Sequence, residues 1–306
     1  MYSKNRQIVD SSKNNYAKEV LELVVFFDLL NKPLTLSEVE AHLRMSGYNG
    51  VDVNKLLESD PLIESDGEYF FLKGRFEIVH KHRNNKVYER KFRAKVDKYV
   101  VLLRHIPFVE AAAYCNNLSF GSVDKNSDID LFVITKRGRI YTARIFLTLL
   151  FHLFGVRRHG KKTAGRFCLS FFVAGSDFAL KDIALADDCY LYFWGRSLVP
   201  VYNVGVIADF MNFNGDFLRL NAVSEYGRVI NGYSGLAVLF ENLLGGKVGD
   251  FLERRLGKWH KKRFEKRKKN AGPDFGVVVN DSMLKFHNTD KRAEFARAYM
   301  QKMDCF

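Results

Sequence analysis

The sequence predicts an α+β protein in which a strand-containing central region lies between an N-terminal module and a C-terminal helical region. Three observations lead to this fold class. Helix-capping patterns and an Asp-Gly turn mark the first part, apolar β-branched segments mark the centre, and the last hundred residues have mainly helical patterns. A basic helix connects the first two parts. The predicted divisions are residues 1–75, 76–104, 105–205 and 206–306.

The composition indicates a chain with substantial apolar cores. Its 306 residues are 47% hydrophobic and 14% aromatic, which is enough for two or three domains. The N-terminus lacks the pattern of a secretory signal. The strongest apolar window, Ile140–Phe154, is interrupted by Arg144 and His152 and is too short to span a bilayer. We therefore expect a buried helix there, no membrane partner and a cytoplasmic location.

The cysteines have no metal-binding spacing. Four are scattered along the chain, at Cys115, Cys168, Cys189 and Cys305. The absence of Cys-x-x-Cys or Cys/His spacing indicates a reducing compartment and no zinc site. We expect all four to be small buried hydrophobic side chains.

The N-terminal module begins with three helices and ends with a hairpin. The predicted helices are Tyr16–Asn31, a second that starts at the overlapping capping boxes Thr35-x-x-Glu38 and Ser37-x-x-Glu40 and ends near Gly47, and Val53–Ser59. The hairpin lies within Leu62–Phe71 around the turn residues Asp66-Gly67. This element order resembles a winged helix-turn-helix module.

The charge of this module argues against a role in reading DNA. Residues 1–72 contain 7 basic and 12 acidic side chains, and phosphate contact requires the opposite balance. We expect the module to pack against the rest of the protein or a partner, and nucleic-acid recognition remains the less favoured alternative.

Two basic segments point to a polyanionic partner. Residues 73–98 contain 10 basic and 3 acidic side chains, and residues 254–269 contain 10 basic side chains and one acidic. The first has apolar residues at helical spacing, with cations on the remaining faces, so it is either a solvated helix or a cationic surface beside an active site. The second includes Trp259 and Phe264, which is typical of contact with phosphates and unstacked bases. We expect both to bind nucleic acid, RNA in preference to DNA.

Two carboxylates at the start of an apolar strand are the strongest functional signal. Asp128 and Asp130 precede Leu131-Phe132-Val133-Ile134. Side chains two residues apart on a strand project from one face, so these carboxylates converge. Such a pair is seldom buried without a cation between its members, which predicts a divalent metal site.

The segment Val109–Thr135 resembles the polymerase-β-type nucleotidyltransferase superfamily. In that family a strand leads to a Gly-Ser loop and then to a Ser-Asp-hydrophobic-Asp strand, which Ser127-Asp128-Ile129-Asp130 matches. The resemblance implies a small mixed sheet with flanking helices. It also implies that Asp128 and Asp130 are catalytic and hold Mg²⁺ or Mn²⁺, and that a nucleoside triphosphate is the substrate. The layout is similar to bacterial proteins with a winged-helix-like front before such a domain and a helical tail.

The Gly-Ser loop of the family can be aligned in two ways. Gly121-Ser122 matches in letters but lies close to Asp128, whereas an ungapped register places Asn116-Asn117 there, and we favour the second. Asn tolerates left-handed backbone and offers amide donors to phosphate. The nucleotide-binding residues implied by the resemblance are Asn116, Asn117, Ser119, Gly121, Ser122, Ser127 and Ser170.

The third carboxylate of the family has no counterpart in the sequence. The matching strand, Arg166–Val173, contains no acid, and Ser170 is expected at that position. Asp177 or Asp187-Asp188 would substitute only if the chain folded back. The basic loop Arg157–Lys162 is either an electrostatic clamp for phosphate or a solvated loop.

Two functions follow from the resemblance. The first is a Mg²⁺-dependent nucleotidyltransferase that moves a nucleoside monophosphate from a triphosphate to a hydroxyl acceptor such as RNA. The alternative is a catalytically weak or inactive protein of the same fold that binds nucleotide or nucleic acid as a regulator or adaptor. The missing acid favours the alternative, because general-base assistance contributes about 10²- to 10⁴-fold to rate.

Overall fold

The computed structural model describes residues 2–48, 50–221, 228–268, 276–286 and 290–306. Within these residues the protein is a mixture of helices and strands, with a seven-stranded mixed sheet and flanking helices. This confirms the predicted α+β class. The winged-helix and nucleotidyltransferase assignments stay predictions.

The N-terminal module has the predicted order of three helices and a hairpin, but the first helix begins at Tyr2 and not at Tyr16. Its elements are α1 (Tyr2–Leu29), α2 (Leu36–Met45), α3 (Val53–Ser59), β1 (Ile63–Ser65) and β2 (Phe70–Leu72). Thr35 and Glu38 form a capping box, in which the Glu38 carboxylate accepts a hydrogen bond from the Thr35 amide at 2.8 Å. β1 and β2 pair antiparallel around Asp66-Gly67. Local sequence signals therefore locate α2 and the hairpin, but they did not show where α1 begins.

The basic segment forms a long helix, α4 (Glu77–Tyr99), followed by a 3₁₀ helix over Val100–His105. Its buried side chains include Phe92 and Val96, as the helical spacing predicts. The cations project from the remaining faces of α4 toward solvent or neighbouring loops.

The remaining elements build the sheet and its covering helices. In chain order they are β3 (Val109–Cys115), α5 (Asn117–Phe120), β4 (Ile129–Thr135), α6 (Ile140–Leu153), β5 (Phe167–Ala174), α7 (Cys189–Arg196), β6 (Val199–Asn203), α8 (Ile207–Phe213), α9 (Gly215–Leu218), β7 (Ile230–Asn231), α10 (Gly235–Leu244), α11 (Lys247–Lys268), β8 (Val278–Val279), β9 (Met283–Lys285) and α12 (Arg292–Met303). The strand order is β7-β6-β3-β4-β5-β9-β8. β4 runs parallel to β5 and β6 to β7, whereas the other neighbours are antiparallel.

Side chains of β4 alternate between two apolar cores. Phe132 and Ile134 pack into a core shared with α1, α2, α7, α8 and α12. Leu131 and Val133 pack into a second core shared with α4 and α6. The alternation along a strand places Asp130 on the same face as Phe132, at the margin of the first core. That core joins the N-terminal module to the sheet, and the predicted division into four domains stays a prediction.

Two parts of the structure differ from expectation. α6 was expected to be a buried helix, but Leu153 at its end and the following Phe154 are exposed. Its contacts with other elements are mainly with β5 and α11. The chain beyond Val206, expected to be helical, also contributes β7, β8 and β9 to the sheet. These strands are two or three residues long, too short to show an alternating pattern. No helix within the described residues is long and apolar enough to cross a membrane.

Candidate functional site

Asp128 and Asp130 stand at the start of β4, between β3 and β5. Cys115 of β3 is opposite Asp130 on one side, and Cys168 of β5 is opposite it on the other. One ligand atom each from Asp128, Asp130 and Cys168 lies within 4.8 Å of the other two. Two carboxylates and a thiol at this separation could hold a divalent metal ion, so the donor set fits the metal site that the sequence predicts.

The residue of β5 that lies opposite Asp130 is Cys168 and not Ser170, which was expected there. Between Asp130 and Phe132 the register of β5 shifts, so that these residues pair with Cys168 and Phe171. The bulge places one more residue on β5 than on β4. Ser170 is buried behind the cluster and is hydrogen-bonded to the Cys168 thiol. Cys168 is buried, as expected, but its thiol also lies beside two carboxylates; the expectation that all four cysteines are buried is wrong for Cys305, which is exposed.

The alternative acids have other partners. Asp177 pairs with Arg137, and Asp188 caps α7 by accepting a hydrogen bond from the Leu191 amide at 2.9 Å. Within the described residues, neither these acids nor Asp187 join the cluster. Among the residues that the structure describes, the third group that could join Asp128 and Asp130 in holding a metal ion is therefore the Cys168 sulfur.

Arg158 places a positive charge against the cluster. It belongs to the basic loop Arg157–Lys162 and is fixed by its amide, which donates to the Phe167 carbonyl at 2.8 Å. One of its guanidinium nitrogens, Nη1, lies 2.5 Å from Asp128 Oδ2 and 3.7 Å from Cys168 Sγ. One cation of this loop, Arg158, therefore lies in contact with the cluster.

The electrostatics of the cluster favour protonated groups in the absence of a metal. Burial, and next the charge of Asp128, raise the pKa of Asp130 to about 6, although Asn116 and Cys168 donate hydrogen bonds to its carboxylate. Burial, and next the charge of Asp130, raise the pKa of the Cys168 thiol far above its usual range. A cation bound among these groups would relieve both effects.

Asn116 has an unusual backbone conformation at the end of β3. Its φ is 55° and its ψ is −137°, a region that non-glycine residues seldom adopt. Its side chain hydrogen-bonds to Asp130, and its Oδ1 accepts a hydrogen bond from the Tyr190 hydroxyl at 3.3 Å. Asn116 thus links the acidic cluster to α7.

The other predicted nucleotide-binding residues have mainly structural contacts. Ser119 donates to the Asn116 carbonyl at 3.0 Å, and Ser127 exchanges hydrogen bonds with Asp124 in the loop before β4. Gly121 has a φ of 70° and faces Lys32 of the N-terminal module. The buried hydroxyl of Ser122 has no hydrogen-bond partner in the part of the chain that the structure describes. Only Asn116 and Asn117 of the predicted set reach the adjoining pocket.

A pocket of about 380 Å³ opens beside Asn116. Its walls combine apolar rings with cations. The rings and cations are Phe171, Tyr190, Trp194, Phe295, Lys285, Lys291 and Arg292. The size and mixed lining are those of a small-molecule site.

The cations of this pocket differ in how they are paired. Arg292 forms ion pairs with Asp188 at 2.7 Å and Asp290 at 2.9 Å, and Lys285 pairs with Asp290 at 2.6 Å. Although burial acts in the opposite direction, hydrogen bonds from Arg292 and Lys285 hold the pKa of Asp290 below its usual range. Lys291 is exposed at the start of α12. Two carboxylates therefore hold Arg292 and Lys285 in place and balance their charge, and Lys291 adds an exposed positive charge at the rim.

The basic helix α4 contacts the loop before β5, which in turn contacts the loop before β4. Lys95 donates to the Gly165 carbonyl at 2.6 Å, and burial, followed by Arg166 and Lys91, lowers its pKa. The Gly165 amide in turn donates to the carbonyl of Ser127, next to Asp128. The helix α4 therefore contacts a loop that lies next to Asp128, and binding of a partner by its cations stays a prediction.

The second basic segment, residues 254–269, contributes none of its described residues to the cluster or to the pocket. α11 packs against α6, α10 and β8 and does not line the pocket. Trp259 is about half exposed, and Lys261 pairs with Asp281 at 2.8 Å. Lys269, at the end of the segment, lies outside the described residues. Nucleic-acid binding by this segment stays a prediction.

Several residues of the site could not be identified from the sequence. Cys168 and Arg158 depend on strand register and loop course, and Tyr190, Lys285 and Arg292 come from distant segments that converge only in the fold. The one available signal was the cationic loop Arg157–Lys162, one residue of which reaches Asp128.

The chain was compared with protein-family models, with curated proteins and with solved structures. None of the three comparisons gives a match.

Proposed function

We propose that this protein is a metal-dependent nucleotidyltransferase that moves a nucleoside monophosphate from a nucleoside triphosphate to a hydroxyl acceptor. The main support is that Asn116, whose side chain hydrogen-bonds to Asp130 of the Asp128–Asp130–Cys168 cluster, also lines the adjoining pocket. A ligand in the pocket would thus have its polar end beside the cluster. The aromatic rings suit a base, and the cations suit phosphates.

The backbone of Asn116 supports the ungapped alignment with the superfamily. Glycine populates positive φ freely, and the family loop begins with glycine, whereas Asn116 adopts a φ of 55° at a conformational cost. Such strain is common at functional sites. Asn116 and Asn117 would offer their amides to phosphate in place of Gly-Ser.

The two carboxylates of the cluster and the neighbouring Arg158 have separate roles in this proposal. Asp128 and Asp130 would hold the divalent cation, Mg²⁺ or Mn²⁺ by the resemblance, which when bound would stabilise charge on the phosphate oxygens during displacement. Arg158 would exchange its contact with Asp128 for a phosphate oxygen, since guanidinium groups bind both anions.

The acceptor is proposed to be RNA bound along α4. Lys91, Lys95 and the loop ending at Arg166 form a cationic surface that leads to Ser127 and Asp128. A polyanion on this surface would bring a terminal hydroxyl toward the cluster. Binding should weaken as salt rises, because phosphate contacts release counterions.

A labelling experiment tests the enzymatic proposal. The protein is incubated with total RNA, Mg²⁺ or Mn²⁺ and each nucleoside triphosphate labelled at the α-phosphate. We expect metal-dependent transfer of label that Asp130→Asn abolishes. Asp177→Asn is the matched control, because Asp177 lies outside the cluster and pairs with Arg137 on the surface. Transfer that is equal in both variants would exclude Asp130 as a catalytic residue.

One observation favours the alternative, a nucleotide- or RNA-binding protein of the same fold with little activity. Cys168 occupies the position beside Asp130 where a third acid would assist proton removal from the acceptor. This alternative predicts salt-dependent binding of nucleotide or RNA without label transfer. Binding that is unchanged from low to high salt would count against it.

A further inference from the structure

Sulfur is an unusual ligand beside two carboxylates. The Cys168 sulfur lies within 4.8 Å of one oxygen of Asp128 and one of Asp130, on a buried strand. Mg²⁺ prefers oxygen ligands and keeps much of its water, whereas thiolate favours softer ions. The identity of this third ligand therefore bears directly on which ion the site selects.

We propose that Asp128, Asp130 and Cys168 form a site for a borderline divalent ion of the Zn²⁺ and Co²⁺ class, with the Cys168 thiolate as a ligand. The site is that of the proposed function, but the inference concerns the ion and needs no nucleotide transfer. It replaces the Mg²⁺ expected from the resemblance. Three protein ligands leave a further position open, as in catalytic zinc sites and unlike closed structural ones.

The geometry requires only a small adjustment. Ligand atoms about 2.0 to 2.3 Å from a tetrahedral ion lie roughly 3.5 Å from one another. The three atoms are already within 4.8 Å, so side-chain movements of about 1 Å would close the site. No change of strand register is needed, because Asp130 and Cys168 are paired neighbours on β4 and β5.

The surroundings also indicate a cation. Arg158 Nη1 contacts both Asp128 and Cys168, so a positive group already occupies the space beside this oxygen and this sulfur. Asp130 instead receives hydrogen bonds from Asn116 and Cys168. Two carboxylates and a thiolate have a charge of three negative units, which a divalent ion together with Arg158 would balance.

A cobalt titration tests the inference. Metal-free Cys305→Ser protein is used as the background, because Cys305 is exposed and would bind metal adventitiously. We expect one equivalent of Co²⁺ to produce a thiolate-to-metal charge-transfer band in the near ultraviolet. Zn²⁺ should abolish this band at one equivalent, whereas a hundredfold excess of Mg²⁺ should leave it. The band should be lost when Cys168→Ser is added and kept when Cys189→Ser is added instead.

A carboxylate replacement gives an independent readout. Cys168→Asp makes the ligand set entirely oxygen and removes the thiolate band, so Co²⁺ binding is followed by titration calorimetry in this variant and in the background protein. The preference should reverse, so that Mg²⁺ competes with Co²⁺ at least tenfold better than in the background protein. Circular dichroism establishes that each variant is folded. A Co²⁺ band that survives Cys168→Ser, or equal competition by Mg²⁺ in the background and Cys168→Asp proteins, would overturn the inference. Because no nucleotide is present, failure of nucleotide transfer would leave these outcomes unaffected.

Discussion

Replacing Asp130 by Asn should stabilise the metal-free protein while removing its function. The carboxyl of Asp130 titrates near 3.8 in the unfolded chain, and burial with the neighbouring charge of Asp128 raises its pKa to about 6 in the fold. Below both values the group is protonated in either state and contributes no difference. As pH rises through this window the unfolded chain loses its proton first, so folding becomes progressively less favourable.

The size of the effect follows from the shift. A difference of about two pKa units corresponds to about 3 kcal/mol, which is fully expressed above pH 6 and is roughly half as large at pH 5. This is an upper limit, because Asn also loses the charge-assisted hydrogen bonds from Asn116 and Cys168. The variant should therefore be more stable than the wild type at pH 7 and should lose this advantage toward pH 4.

Urea unfolding in the presence of a chelator measures the difference. At pH 7 the midpoint of Asp130→Asn should lie about 1 M above that of the wild type, with an unchanged slope. Asp177→Asn is the control and should not show this dependence on pH, since Asp177 pairs on the surface. If Asp130→Asn is destabilising by the same amount at pH 5 and pH 7, the pKa of the Asp130 carboxyl is not raised by its surroundings.

Three further predictions concern neighbouring groups. Glu38→Gln should destabilise the protein by about 2 kcal/mol in urea unfolding, because the buried Lys32 ammonium loses its carboxylate partner at 2.8 Å and keeps the Pro33 carbonyl, whereas adding Lys32→Met should restore most of the loss; no restoration would contradict this. Gly121→Ala should cost more than Gly138→Ala by calorimetry, since both have positive φ but only a Cβ at Gly121 would meet Lys32 Cε at 2.8 Å; equal costs would exclude that contact. Tyr190→Phe should weaken triphosphate binding about fivefold in calorimetric titrations by releasing Asn116, with a stability change under about 1 kcal/mol; unchanged affinity would remove Tyr190 from the site.

Elements specified by local signals were predictable from the sequence. The capping box at Thr35 and Glu38 and the turn at Asp66-Gly67 act within a few residues, so their positions could be determined before any packing was known. The spacing of Asp128 and Asp130 likewise placed both carboxylates at the start of β4. These signals require no knowledge of distant residues.

The features that could not be predicted from the sequence depend on how strands far apart in the chain align with one another. A bulge in β5 places Cys168 opposite Asp130 and moves Ser170 behind it, and a residue count along one strand cannot detect this shift. The strands beyond Val206 are too short for an alternating pattern; β7 extends the sheet at β6, and β9 followed by β8 extends it at β5. The pocket residues Lys285 and Arg292 reach the site through that same pairing and through α12.

The central claim, that the cluster and the pocket form one metal-dependent nucleotide site, is tested most directly by equilibrium binding of a nucleoside triphosphate with and without divalent cation. The account predicts that the cation tightens binding at least tenfold in the wild type and in Asp177→Asn, and that Asp130→Asn removes this dependence. Triphosphate binding that is the same with and without cation, or that Asp130→Asn leaves equally cation-dependent, would contradict the account.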